Sequence, residues 1–150
     1  PISAYMLNLG LESLHVRMAR HCENGQAVAE FLASHPKIAY VNYCGLPGDK
    51  YHAVAEKYLP NGSCGVVSFG VKGGREAAAA FMGHLKIAAI ETHVADARTC
   101  CLHPASSTHR QMNDEQLIAA GVQPDLVRMS CGLEDKNDLI HDIAQALDQI

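Results

Sequence analysis

Hydrophobic positions change their spacing several times along the chain, and each change marks an element. Over residues 3–35, Leu7, Leu11, Leu14 and Met18 recur at helical spacing, and Val28, Phe31 and Leu32 resume the stripe. One long helix is predicted there, with Gly10 and Gly25 as points of discontinuity. His35-Pro36 ends it, because proline disfavours helical geometry in the residue before it. The stripe is longer than one small domain covers, so its N-terminal half is expected to pack on something outside this sequence. Alternation and β-prone residues then predict a strand over 37–43. A loop follows, and a short helix over 52–58 is stopped by Pro60-Asn61-Gly62. Residues 64–71 (Cys-Gly-Val-Val-Ser-Phe-Gly-Val) read as a second, central strand. Lys72-Gly73-Gly74 turns into a helix over 75–85 that sets Ala78, Phe81, Met82 and Leu85 inward; a lysine and two glycines make no phosphate loop.

Shorter strands are predicted at 87–90 and 99–102, on either side of an irregular segment, with a polar loop over 103–110. Asn113 and Gln116 have capping-box spacing and open a short helix that Gly121 closes. Asp135 caps a last helix with Leu139, Ile143, Ala146, Leu147 and Ile150 as its buried stripe. The predicted class is therefore α/β (α+β): a two-layer sandwich with a four- to five-stranded, mostly antiparallel sheet, helices on one face and a long N-terminal helix.

Residues 124–135 carry the most informative pattern. Alternation sends Val127, Met129 and Cys131 to one face of a strand, and Leu126, Arg128 and Ser130 to the other. An arginine in mid-strand among apolar neighbours is either one half of a structural salt bridge or a rigid two-pronged grip for a carboxylate. Local residues leave both open, with the salt bridge the commoner case.

Composition removes several classes of function. With 150 residues the chain makes one domain, 1–150, and a formal charge of −4 from 12 basic and 16 acidic residues leaves no basic stripe for nucleic acid or anionic membrane. No apolar run reaches membrane-spanning length and no signal peptide is evident. Six cysteines without C-x-x-C spacing read as reduced thiols, hence a cytoplasmic protein. Among nine histidines, His103 and His109 flank one loop, but no acidic or cysteine partner stands at ligand spacing, so no metal site is expected. A serine-hydrolase elbow and a dinucleotide fingerprint are both absent.

Five runs, in order, resemble one enzyme family. They are Leu9-Gly10-Leu11-Glu12-Ser13-Leu14 with Arg17, Met18 and His21; Tyr40-Val41-Asn42-Tyr43-Cys44-Gly45-Leu46; Phe69-Gly70-Val71-Lys72-Gly73-Gly74; His103-Pro104-Ala105-Ser106-Ser107-Thr108-His109; and Val127-Arg128-Met129-Ser130-Cys131-Gly132-Leu133-Glu134-Asp135. From residue 3 to the end the chain resembles the small C-terminal domain of fold-type I pyridoxal-phosphate (PLP) enzymes of Cys/Met metabolism. Its nearest likeness is the O-acetylhomoserine sulfhydrylase (aminocarboxypropyltransferase) branch.

The resemblance implies a cytoplasmic homotetrameric transferase of methionine biosynthesis that makes homocysteine from O-acetylhomoserine and sulfide. PLP serves as its electron sink. In the family the lysine that binds PLP lies in a large N-terminal domain, against which residues 1–35 would partly pack. The resemblance therefore assigns no catalytic or cofactor-binding residue to this chain and predicts a fragment that is inactive, and binds no PLP, by itself. It does assign substrate binding: Arg128 matches the carboxylate-binding arginine, and Thr92 and His93 lie in the loop at the substrate mouth. Where relatives carry Ser or Asn this chain has His93, and Ala95 replaces a usual glycine. Cystathionine γ-synthase and the cystathionine and methionine γ-lyases share the domain and stand as alternatives within the family. A non-catalytic binding or structural module is the alternative outside it.

Overall fold

In the computed structural model, which describes residues 1–150, the N-terminal stripe forms two helices: α1 (Ile2–Glu12) and α2 (Leu14–Ser34). The break falls at Ser13, not at either glycine. There Arg17 donates from Nη2 to the Gly10 carbonyl at 2.7 Å and from Nε to Ser13 Oγ at 3.2 Å, and so satisfies groups at the end of α1. Gly25 stays inside α2 for a packing reason: a Cβ there would stand 2.6 Å from the Cys64 carbonyl oxygen. Every residue of α1 is exposed, whereas α2 buries His21, Asn24, Gly25, Val28, Ala29 and Leu32. No helix is long and apolar enough to cross a membrane.

The remaining elements are β1 (Ile38–Asn42), α3 (His52–Tyr58), β2 (Val66–Val71), α4 (Gly74–His84), β3 (Ala89–Ile90) and β4 (Cys100–Leu102). A 3-10 turn at Pro104–Ser106 leads to α5 (Asp114–Ala119), β5 (Leu126–Ser130) and α6 (Lys136–Asp148). One five-stranded sheet results, in the order β1-β2-β5-β4-β3. Its pairs are antiparallel except β3 with β4, which matches the mostly antiparallel sheet expected. The strand expected over 87–90 is shortened because Ile87 and Ala88 give their amides to the buried Asp142 carboxylate, at 2.9 and 3.0 Å. The capping box of Asn113 and Gln116 forms, and Asp135 caps α6.

Val67, Phe69 and Val71 of β2 and Val127 and Met129 of β5 are fully buried against α2, α4 and α6. Phe69 meets Phe81 edge-on, with ring centroids 5.8 Å apart. Period-2 alternation turns Ser68 and Arg128 to the opposite face, away from that core. All six cysteines are free thiols, and burial pushes Cys131 up to about 12.

The turn after β5 is fastened from two sides. His21 and Asn24 of α2 bond the carbonyls of Cys131 (2.7 Å) and Gly132 (2.9 Å). From the other side, the Glu134 carboxylate accepts the Thr99 amide at 2.6 Å and its hydroxyl at 2.8 Å. Only glycine fits at 132, since a Cβ would lie 2.5 Å from Ala97 O, Arg98 C and Thr99 N. These contacts fix the end of β5, and with it Arg128.

Candidate functional site

Arg128 lies at the centre of the open face, in register with Ser68 on one side and Leu102 on the other. Together with Val66, Leu126, Thr92, Pro104, Thr108 and His109 they line a cavity of about 500 Å³. The floor is strand, where side-chain direction is set by the pleat; the walls are the loops after β3 and β4. A larger cleft of about 590 Å³ lies at Cys22, Tyr43, Cys44 and His52, but its lining includes Glu23 and Glu56 and no lysine or arginine. For an anionic ligand, the Arg128 cavity is the one with the matching charge.

Arg128 forms no ion pair with any carboxylate. Its one hydrogen bond runs from Nη2 to the Thr92 carbonyl at 2.8 Å, which leaves the rest of the guanidinium fork without a protein acceptor. Arg75 shows the other outcome. It donates from Nε and Nη2 to Asp114 Oδ1 at 2.9 and 2.6 Å, and from Nη1 to the Ala105 carbonyl at 2.6 Å. That arginine is used up in holding the 105–114 loop; Arg128 is not.

The loop over 91–98 forms the rim. The Ala95 amide donates to Ser130 Oγ at 2.9 Å, and the Leu133 amide to the Ala97 carbonyl at 2.8 Å, so β5 itself carries the loop. Ala95 is held left-handed, with φ 59°, where a glycine would sit without strain. Thr92 and Arg128 thus come together. His93 does not join them: its exposed ring places Nδ1 3.1 Å from Glu91 Oε2 and 3.5 Å from Asp96 Oδ2, outside the cavity lining.

His103 and His109 do not converge on a common ligand. His103 is buried, with Nδ1 2.9 Å from Ser106 Oγ and Nε2 2.8 Å from the Pro124 carbonyl. Burial holds its imidazole below the ordinary histidine value, and Arg75 adds to the shift. His109 lies on the cavity wall with Thr108. The place of His109 in the site was not evident from local pattern, because the 103–110 loop has no periodicity and is held by Arg75, remote in sequence.

The cavity suits a small carboxylate: one unspent guanidinium, the Ser68 and Thr108 hydroxyls, and apolar strand residues Val66, Leu102 and Leu126 in its floor. It does not suit an aldehyde cofactor by itself, since no lysine lines it.

Comparison with known proteins follows the same line. The family model described as Cys/Met metabolism PLP-dependent enzyme matches residues 1–148. Homocysteine synthase of Schizosaccharomyces pombe is 44% identical over 148 residues, covering 99% of this chain and 34% of that protein. O-acetyl-L-homoserine sulfhydrylase of Leptospira meyeri is 44% identical over 151 residues, covering 100% of this chain and 34% of its own. A crystal structure of a Campylobacter jejuni protein superposes with TM-score 0.89 and 38% identity, over 97% of this chain and 34% of that one. Its description is a putative O-acetylhomoserine (thiol)-lyase with N′-pyridoxyl-lysine-5′-monophosphate. The chain spans about a third of the length of the curated relatives it matches.

Proposed function

The chain belongs to the Cys/Met-metabolism family of PLP-dependent enzymes, and on that premise we propose that it is the substrate-closing domain of a transferase making homocysteine from O-acetylhomoserine and sulfide. The observation that carries this reading is the mid-strand arginine with no carboxylate of its own. Arg128 grips the amino-acid carboxylate with two parallel hydrogen bonds, one of them made by the Nη2 group that now meets Thr92. Thr92 and the backbone beside His93 set the rim, while Ser68 flanks the clamp. Fixing the carboxylate on a strand restricts how the substrate's other bonds are presented, which is the orientation such chemistry requires.

The cofactor lysine belongs to another part of the full-length protein in this reading, because none lies in the cavity here. The exposed apolar side chains of α1, among them Ile2, Tyr5, Met6 and Leu9, lie against that other part. The full-length enzyme is a cytoplasmic homo-oligomer. Two relatives, the homocysteine synthase of Schizosaccharomyces pombe and the O-acetyl-L-homoserine sulfhydrylase of Leptospira meyeri, support this choice of branch.

Kinetics of the full-length protein test the proposal. Arg128→Lys keeps the charge and loses the fork, so kcat/KM for O-acetylhomoserine with sulfide should fall by roughly 10- to 100-fold. Unchanged kinetics would remove the clamp. Release of ammonia and a keto acid in place of homocysteine would move the protein to the γ-lyase branch.

A further inference from the structure

Beside the cavity, Glu91, His93 and Cys100 bring an oxygen, a nitrogen and a sulfur donor to one point. Glu91 Oε2 stands 3.1 Å from His93 Nδ1 and 3.7 Å from Cys100 Sγ. All three donor atoms lie within 4.8 Å of one another. Ligand atoms around a tetrahedral zinc ion, bonded at about 2.0–2.3 Å, stand roughly 3.3–3.8 Å apart. Two of the three donor pairs, Glu91 with His93 and Glu91 with Cys100, stand at or near that spacing. Asp96 Oδ2, 3.5 Å from the same His93 nitrogen, supplies a fourth donor.

We propose that Glu91, His93 and Cys100 form a binding site for one divalent transition-metal ion of the zinc class, with Asp96 or a water molecule completing the tetrahedron. The donor set decides the class. A thiolate and an imidazole prefer borderline metals, whereas magnesium and calcium take oxygen ligands alone. Charge agrees with a divalent ion: once Cys100 is ionised, Glu91, Asp96 and the thiolate against Arg98, which pairs with Glu91 at 2.9 Å, leave two net negative charges. In the metal-free chain the Cys100 thiol has two acceptors for its single proton, the Arg98 carbonyl at 3.4 Å and Glu91 Oε2 at 3.7 Å. Binding exchanges that proton for the metal: the S–H bond breaks, a sulfur–metal bond forms and the proton leaves to solvent, with no change in oxidation state.

Placement gives the site a consequence. Cys100 belongs to β4 and is buried, while Glu91 and His93 belong to the rim loop. A metal here ties the rim, Thr92 included, to the sheet that carries Arg128. The inference does not rest on which reaction the full-length enzyme performs.

Titrating the metal-free protein with Co²⁺ tests it. Saturation at one equivalent is expected, with the near-ultraviolet charge-transfer band of a cobalt–thiolate bond, displaced by Zn²⁺. Cys100→Ser should abolish the band, and His93→Ala should weaken binding by at least about tenfold. Cys22→Ser, at a half-buried thiol elsewhere, should leave both unchanged. Because His93 is exposed, its variant folds regardless of what Cys100→Ser does to the core. A band that persists in Cys100→Ser, undiminished affinity in His93→Ala, or no saturable binding at micromolar Co²⁺ would overturn the site.

Discussion

The two faces of the sheet use the same strands for opposite purposes. Toward the helices, Val67, Phe69, Val127 and Met129 are sealed completely. On the other side, Ser68 and Arg128 come from those same strands, one residue out of phase, and border a cavity of about 500 Å³. The sealed face determines that the strands exist and lie in register; the open face inherits that precision at no further cost in order. A two-pronged grip needs its donors fixed to a fraction of an ångström, and a strand anchored by a dry core supplies that rigidity. The difference teaches that the binding geometry of Arg128 is a by-product of residues that never touch a ligand.

If the division of labour is right, substitutions on the two faces should fail in different assays. Phe69→Ala is expected to have the largest effect: removing a fully buried ring that packs edge-on to Phe81 costs about 3–5 kcal/mol of stability, read from the denaturant midpoint. Arg128→Lys should leave that midpoint within about 0.5 kcal/mol while turnover of the full-length protein falls, the reverse pattern. A stability loss comparable to that of Phe69→Ala would give Arg128 a structural role and erase the contrast.

Glu134→Gln tests the joint between the faces. The amide can no longer accept from both the Thr99 amide and hydroxyl in their present geometry, so stability should drop by about 1–3 kcal/mol. Turnover should drop as well, because the same pair holds the loop that carries Thr92. A change in only one of the two readouts would separate site from scaffold.

Smaller effects sharpen the picture. The His103 imidazole is held below its ordinary value of 6.5, chiefly by burial. An unfolded histidine takes up its proton first as pH falls, so the stability His103 contributes is complete above about pH 6.5 and is lost as pH drops through its lower folded value. Denaturant midpoints measured down this range should decline, and less steeply in His103→Asn. Ala95→Gly relieves a left-handed alanine and is expected to raise stability by at most about 1 kcal/mol, since glycine's larger unfolded-state entropy offsets part of the gain.

What was legible in the sequence follows a physical divide. Local periodicity located the strands and helices to within a few residues, because burial of one face imposes spacing on the chain wherever it happens. Alternation alone placed Arg128 opposite Val127 and Met129, and the capping residues Asn113, Gln116 and Asp135 marked helix starts through bonds that span two or three residues. The sequence motifs also carried the family. Contacts between distant segments were decided only by the tertiary structure. Asp142 takes the amides that would have extended β3, and Arg75 locks the loop that carries His109. Whether Arg128 would be satisfied by a carboxylate of its own was likewise beyond local pattern, since any acidic residue in the chain was a candidate partner. Folding brought none of them to it, and it gathered Glu91, His93 and Cys100 instead at a point that no sequence spacing marked.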